Sequence, residues 1–396
     1  METNTSLNSL TPALQFKALF IAASAFVALT LFHASSLEAA GNTGYGYNSL
    51  ASISTGSFNV GFGDYSLSLT TTGYFNAAIG YNALYTNTTG SSNSAVGFYA
   101  LSDNTIGSDN TANGYLALRR NTLGSNNTAT GSEALQSNIS GERNTANGSL
   151  ALYSNTTGYS NTASGRAALV NNAIGYLNTA NGAYALYLNT KGNNNTANGS
   201  NALYKNTIGK NNTAVGYNAL YTNATGNNNT TIGYSADVTA NNLSNATAIG
   251  YSAKVNASNK VRIGNVAITT IEGQVPLTTS SDQRLKSHIK DMSLGSDFIN
   301  KLRPVEYVRN NNPAQTREWG IIAQELQQTL NTVGYKNAGI VTEDASPEKY
   351  LTVRYNDLLG PMIKAIQEQH KTIQDQGEII TVLQKRIDAL EAKESE

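Results

Sequence analysis

Apolar and polar positions recur along most of the chain with one long period. Glycine stands at 46, 63, 80, 97, 114, 131, 148, 165, 182, 199, 216, 233 and 250, always seventeen residues apart. Leucine follows four residues later in each copy from 50 to 220, and a second glycine ten residues later from 56 to 226. Alanine lies two before most of the first glycines, as in Asn144-Thr145-Ala146-Asn147-Gly148. The idealised unit is N-T-A-x-G-x-x-A-L-x-x-N-T-x-G-x-x. Disorder has no reason to keep leucine and two glycines in phase over such a length. Two glycines per unit also rule out a helical repeat. The pattern predicts two short extended segments per unit joined by two tight turns, with glycine supplying positive φ. Stacked coils place Leu and Ala in an inner stripe and Asn and Thr in ladders. The expected fold class is mainly β: thirteen coils of a parallel β-roll over 41–266, a rod of about 60 Å at about 4.8 Å per coil.

Two other hydrophobic patterns flank this array. Residues Ala18 to Phe32 form an uncharged apolar run behind Lys17. Fifteen residues fall short of the roughly 18 that a membrane span needs, so the run reads as the core of a signal peptide. Small residues at Ala34, Ser35, Ser36, Ala39 and Ala40 place cleavage near 36–40, and retention as an anchor stays open. Residues 1–40 are therefore read as an export segment, and the rest as lying at the cell surface or outside the cell. At the other end, Leu359, Ile366, Ile373, Ile380 and Ile387 recur every seven residues, with Met362, Gln369, Gln376, Leu383 and Leu390 three further on. These are a and d positions of a coiled coil over 358–392. Isoleucine at nearly every a site leans towards three strands, and the two glutamines fix register.

Composition narrows the function classes. The 396 residues carry 26 basic and 26 acidic side chains, which leaves no basic footprint for a nucleic-acid partner. The absence of cysteine excludes disulfides and thiolate metal sites, and the three histidines (His33, His288, His370) lie far apart. No metal and no cofactor is expected. The sequons scattered through the repeats, such as Asn87-Thr88-Thr89, follow from the repeat itself and need no glycosylation. Residues 41–266 hold ten basic and six acidic side chains, without a cluster that would suit catalysis in a cleft. No further enzymatic activity is expected in the repeats.

The repeat array, with its N-T-A-x-G-x-x-A-L motifs over about 41–264, resembles the head domains of trimeric autotransporter adhesins. That resemblance implies a left-handed roll packed as a homotrimer, binding a surface ligand such as a glycan or a matrix protein. One Leu and one or two Ala per coil are little core for a lone chain, which points the same way.

After a linker at 267–280, charge density rises: 281–396 contains fifteen basic and seventeen acidic residues and the sole Trp, Trp319. Three blocks stand out: Ser281-Asp282-Gln283-Arg284-Leu285-Lys286, then Phe298-Ile299-Asn300-Lys301-Leu302-Arg303-Pro304-Val305-Glu306-Tyr307, then Trp319-Gly320-Ile321-Ile322-Ala323-Gln324-Glu325-Leu326. In this order, before a coiled coil, they resemble the peptidase S74 domain, the intramolecular chaperone of phage endosialidases, tail fibres and myelin regulatory factor. The resemblance implies a small α+β domain that trimerises the fibre before it and then cuts itself off in one intramolecular turnover. It assigns Ser281 as nucleophile, Lys286 as base and Ser280–Ser281 as the bond broken. A serine–lysine pair suits that chemistry, because a neutral amine can take the hydroxyl proton. Burial, or a cationic neighbour such as Arg284, would favour the neutral amine. The plainer role for Ser281 and Asp282 is capping a helix that contains Lys286. Glu325 reads as a structural partner. The function expected is an exported, adhesin-like homotrimeric fibre with a self-cleaving serine endopeptidase at its end; the alternative is a phage or prophage tail fibre.

Overall fold

The computed structural model describes residues 41–394 except 311, 313, 314, 337 and 345–348. The export segment read at 1–40 lies outside the described residues. The chain divides into one unit ending at Asn265 and a second running from Val266 to Glu396.

The first unit is a parallel β-solenoid. Fourteen three-residue strands, from Thr43–Tyr45 to Val261–Ile263, form one parallel sheet. Each residue pairs with its equivalent one unit on, as Thr145 with Thr162 and Ala146 with Ala163. The stack spans about 62 Å at the usual spacing of strands. The periodic reading stopped one strand short. The last step, Thr247 to Val261, takes fourteen residues instead of seventeen, so Gly264 falls outside the regular series. Each coil also carries one strand where two extended segments were expected. Its other sides are turns, and their amides still bond to the next coil: Leu135 N–H to Ala151 O at 2.9 Å and Ile139 N–H to Thr156 O at 2.9 Å. Only Asp237–Val238 and Lys254–Val255 straighten into a second parallel pair.

The turn chemistry corrects the sequence reading as well. The first glycine of each unit does supply a positive φ, +136° at Gly148. The second does not adopt the left-handed region. Its reason is space, because a Cβ on Gly141 would lie 2.4 Å from the Gly158 carbonyl oxygen and 2.4 Å from Asn138 Oδ1. Left-handed φ falls instead on non-glycine residues: two after each glycine, as at Asn126 and Glu133, and on the leucines, whose φ lies between +51° and +54° from Leu50 to Leu220. That conformation costs about 1–2 kcal/mol for a residue with a Cβ. Full burial of the same side chain contributes about 1.5–3 kcal/mol, so the leucine more than holds its place.

Inside the coil, polar ladders share the core with Leu and Ala. Asn144 Oδ1 accepts from both the backbone N–H and the Nδ2 of Asn161, at 3.0 and 3.1 Å. Its own Nδ2 donates to Gly158 O at 2.8 Å. The arrangement repeats from Asn42 to Asn229. A second ladder runs through the asparagines of the sequons, where Asn104 Nδ2 donates to Asn87 Oδ1 at 2.7 Å. Asn87 is fully buried, so its sequon is closed to any enzyme in the folded shaft. Outside, tyrosines stack coil on coil: Tyr187, Tyr204 and Tyr221 lie 5.0 and 5.3 Å apart, nearly parallel.

The second unit is small. Helix α1 (Ser296–Ile299) and helix α2 (Ala323–Thr332) accompany two antiparallel ribbons, Val305–Tyr307 with Glu318–Gly320 and Val341–Glu343 with Leu351–Val353. Phe298, Leu326, Leu330, Ile340 and Leu358 form their core. Helix α3 (Leu359–Glu394) has 36 residues and a length of about 54 Å. Its first turns dock on α1, with Ala365 buried and Glu368 accepting from the Ser296 N–H at 2.8 Å. From 369 to 393 every residue is exposed, so the heptad seam is not spent on the helix's own domain.

The asparagine ladder yields a test. Asn144→Ala leaves the Asn161 backbone N–H and one of its two Nδ2 hydrogens without an acceptor in the core, the other still bonding to Gly175 O. It should lower the stability of the shaft by about 2–3 kcal/mol. Thr145→Ala, one residue on and exposed, should stay within about 0.5 kcal/mol. Guanidinium unfolding of residues 41–280, followed by circular dichroism with a β and not a helical spectrum, checks both.

Candidate functional site

The opening block folds as one short turn. Residues Gln283–Leu285 make a single 3-10 turn, with Asp282 and Lys286 extended on either side. Asp282 caps the turn by accepting from the Arg284 N–H at 2.8 Å. The Lys286 N–H closes it on Gln283 O at 3.0 Å. The chain therefore reverses between positions 281 and 286. Lys286 Nζ then reaches Ser281 Oγ and donates to it at 2.7 Å. The two side chains that sequence comparison singled out meet directly, and the five-residue spacing is what this turn requires.

The capping role belongs to Asp282, which leaves the Ser281 hydroxyl to the lysine. Arg284 differs from its expected role. Its guanidinium grips both oxygens of Asp282, Nη2 to Oδ2 at 2.7 Å and Nε to Oδ1 at 3.0 Å. Those bonds hold the Asp282 carboxyl below its ordinary range. They also push the Arg284 guanidinium higher. The Arg284 charge is thus balanced by its own neighbour. Among the described residues, His288 bonds to Ser287, at 3.2 Å. Ser280, Ser281 and Lys286 are all exposed in the single chain.

The other two blocks belong to the folded body of the second unit. Arg303 and Glu325 form a two-pronged ion pair that joins them, and it lowers the Glu325 carboxyl. Glu325 is thus the structural partner that was expected. Val305 pairs with Gly320 and Glu306 with Trp319 across the ribbon. Gly320 lies where a Cβ would meet the Tyr355 hydroxyl at 2.4 Å, and that hydroxyl accepts from the Ile321 N–H at 3.2 Å. Sequence reasoning missed Tyr355, which sits 34 residues beyond its partner and in no recognisable motif. It also gave no orientation for Trp319, which stands on the outer face of the ribbon at 81% exposure.

Residues 281–335 match the protein family Peptidase_S74, described as chaperone of endosialidase. The match spans all three blocks and the turn that joins Ser281 to Lys286. No curated protein matches the chain significantly. A domain of this family implies an autoproteolytic chaperone. The chain is a parallel β-solenoid of seventeen-residue coils followed by a peptidase S74 domain at 281–335, an arrangement that fits a tail-fibre or endosialidase-like protein.

Proposed function

We propose that the chain is an exported homotrimeric fibre with a surface-binding shaft, whose C-terminal domain assembles the trimer and then severs the Ser280–Ser281 bond. The observation that carries this reading is the 2.7 Å contact between Lys286 Nζ and Ser281 Oγ. A neutral Lys286 takes the hydroxyl proton, and Ser281 Oγ attacks the carbonyl carbon of Ser280. The C–N bond breaks, the proton passes to the departing amine of Ser281, and an ester joins Ser280 to Ser281 Oγ. Water hydrolyses that ester to a Ser280 carboxylate and a free Ser281 hydroxyl. An amine becomes a base near neutrality when it is desolvated. Both members of the pair are open to water in one chain, so burial has to come from further copies. Cleavage thereby waits for assembly.

Support for three chains comes from α3. Its a-site residues Ile366, Ile373, Ile380 and Ile387 are 47–65% exposed and lie on one seam. Export rests on the apolar run at 18–32, and the surface ligand, a glycan or a matrix protein, on the likeness to adhesin heads. A phage or prophage tail fibre is the second reading, favoured by the family's description as a chaperone of endosialidase. Cell fractionation separates them: the fibre belongs outside the inner membrane, whereas a tail fibre collects as a cytoplasmic trimer. A glycan and matrix-protein screen on the purified shaft tests the ligand.

Expression should produce a shaft ending at Ser280 and a fragment of 116 residues beginning at Ser281. Ser281→Ala and Lys286→Ala should each leave the chain whole. Lys286→Arg should do so too, since guanidinium does not give up its proton. Ser280→Ala should still be cut, because that residue supplies only its carbonyl. Intact mass and amino-terminal sequencing read these outcomes, and a trimeric wild-type chain that stays whole would remove the dyad.

Assembly is tested separately. The Ser281→Ala protein should sediment as a trimer. Ile373→Asp with Ile380→Asp places unpaired carboxylates in the seam and should abolish soluble shaft. A monomer or dimer mass for Ser281→Ala would end the three-chain reading.

A further inference from the structure

We infer that Asp282 and Arg284 are positioning residues of the cleavage site. As a closed ion pair they hold the turn that brings Lys286 to Ser281, and they cancel each other's charge beside the amine. This rests on the self-cleaving reading above and deepens it, adding the two groups that set the pH at which the dyad works.

The turn has little else to hold it. It contains two backbone hydrogen bonds, Leu285 N–H to Asp282 O at 3.1 Å and Lys286 N–H to Gln283 O at 3.0 Å, and no buried side chain. A lone turn fixes several backbone angles for few hydrogen bonds, so it does not persist by itself. Asp282 supplies the missing restraint with both oxygens of its carboxylate. Oδ1 accepts from the Arg284 N–H at 2.8 Å and from Nε at 3.0 Å, while Oδ2 accepts from Nη2 at 2.7 Å. Three bonds to one side chain thus lock the segment between Ser281 and Lys286, whose own side chains meet at 2.7 Å.

The pairing also has an electrostatic consequence. Asp282 adjoins Ser281 in the chain, and Arg284 stands two residues from Lys286. Among the described residues, no side chain of another element bonds to this turn. The remaining titratable groups of the segment are His288, whose ring bonds to Ser287, and Lys290 and Asp291 beyond it. An unpaired carboxylate beside an amine favours the ammonium form, and an unpaired guanidinium disfavours it. In water such effects are screened, but they grow once neighbouring copies exclude it. Paired on both oxygens, the two charges offset each other at the stage when the dyad is enclosed. The same bonds hold the Asp282 carboxyl below its usual range and the Arg284 guanidinium above its own. The pair therefore stays ionised throughout the range in which an amine titrates.

A purely structural clip and a charge-balancing one differ in what they do to a pH profile. Cleavage requires the neutral amine, so its rate rises with pH and levels off once the amine has lost its proton. Full-length chains are refolded from urea over a series of pH values. The cleaved fraction is divided by the trimer that the matching Ser281→Ala chain forms at each pH. Arg284→Gln leaves the carboxylate unpaired and should move the half-maximal point up by about one pH unit. Asp282→Asn keeps a capping side chain but leaves the guanidinium unpaired, and should move the point down by about as much. The double variant should return to the wild-type point. Arg284→Lys, which restores the charge without the two-pronged grip, should do so at a lower plateau. Points that stay in place while the plateau alone falls would leave the pair a structural clip and overturn the inference. So would shifts of the same sign in both single variants. A variant whose Ser281→Ala form no longer trimerises would place the pair in assembly, which overturns it too. A wild-type chain that trimerises and stays whole counts against the cleavage proposed above, and this role of the pair falls with it.

Discussion

The buried asparagine ladder is the constraint on which the shaft depends. Each asparagine accepts from the backbone and side chain of its equivalent one coil on, and donates to a glycine carbonyl of the same coil. These groups are cut off from water, so an unmade bond costs the desolvation of the group in full. A core of one leucine and two alanines per coil would tolerate small shifts of register, whereas a column of amides tolerates none. The seventeen-residue period is therefore held by hydrogen-bond geometry more tightly than by packing. The close approach of coils that this demands also explains the second glycine, whose missing Cβ makes room for the next carbonyl. Where the ladder ends, the period relaxes. Asn229 donates to Leu243 O in place of a glycine carbonyl, its successor is Ala246, and the step from the strand that follows, Thr247 to Val261, takes fourteen residues.

Much of this was legible because repetition averages out noise. Any single glycine or leucine in a low-complexity stretch means little, yet thirteen glycines in phase admit few folds. What repetition could not convey was the conformation inside the unit. Leucine is a poor candidate for positive φ on local grounds, and only its burial in the stacked rod reverses the preference. Glycine was read as the turn residue at both positions because its two uses, positive φ and lack of a Cβ, leave the same letter in a sequence. The fourteenth strand was missed since Val261-Arg262-Ile263-Gly264 keeps the glycine but replaces the Thr-Ala pair and breaks the spacing.

In the second unit, legibility followed sequence separation. Ser281 and Lys286 are five residues apart, and one local turn brings them together, so a short motif held the essential geometry. The same shortness explains why Arg284 was misjudged. A cation two residues from the lysine looks like a perturbing neighbour, but a carboxylate at Asp282 is as close and captures it on both oxygens. Tyr355 and Gly320 meet through the folded body and are joined by no pattern of spacing. Exposure of the pair is a property of the single chain that no sequence displays. It matters because it separates two requirements that enzymes usually meet together, contact between nucleophile and base and exclusion of water from them.

That separation gives the proposed fibre its order of events. Long-range pairing of parallel coils is slow, since loop closure is costly before distant contacts form. A coiled coil assembles from local turns and raises the effective concentration of everything attached to it. If the dyad were already enclosed within one chain, cutting would compete with assembly and strand unpaired shafts. In the proposed fibre, contact is preformed and burial is supplied by neighbours, so that the chain would hold its nucleophile ready without firing until the copies are aligned. Under the proposed cleavage, the mature shaft would lose the element that nucleated it, and its persistence would become a matter of rates instead of equilibrium. A fibre built this way needs no great stability per coil. It needs each coil to be unable to leave alone, and a column of amides that must all shift together provides that.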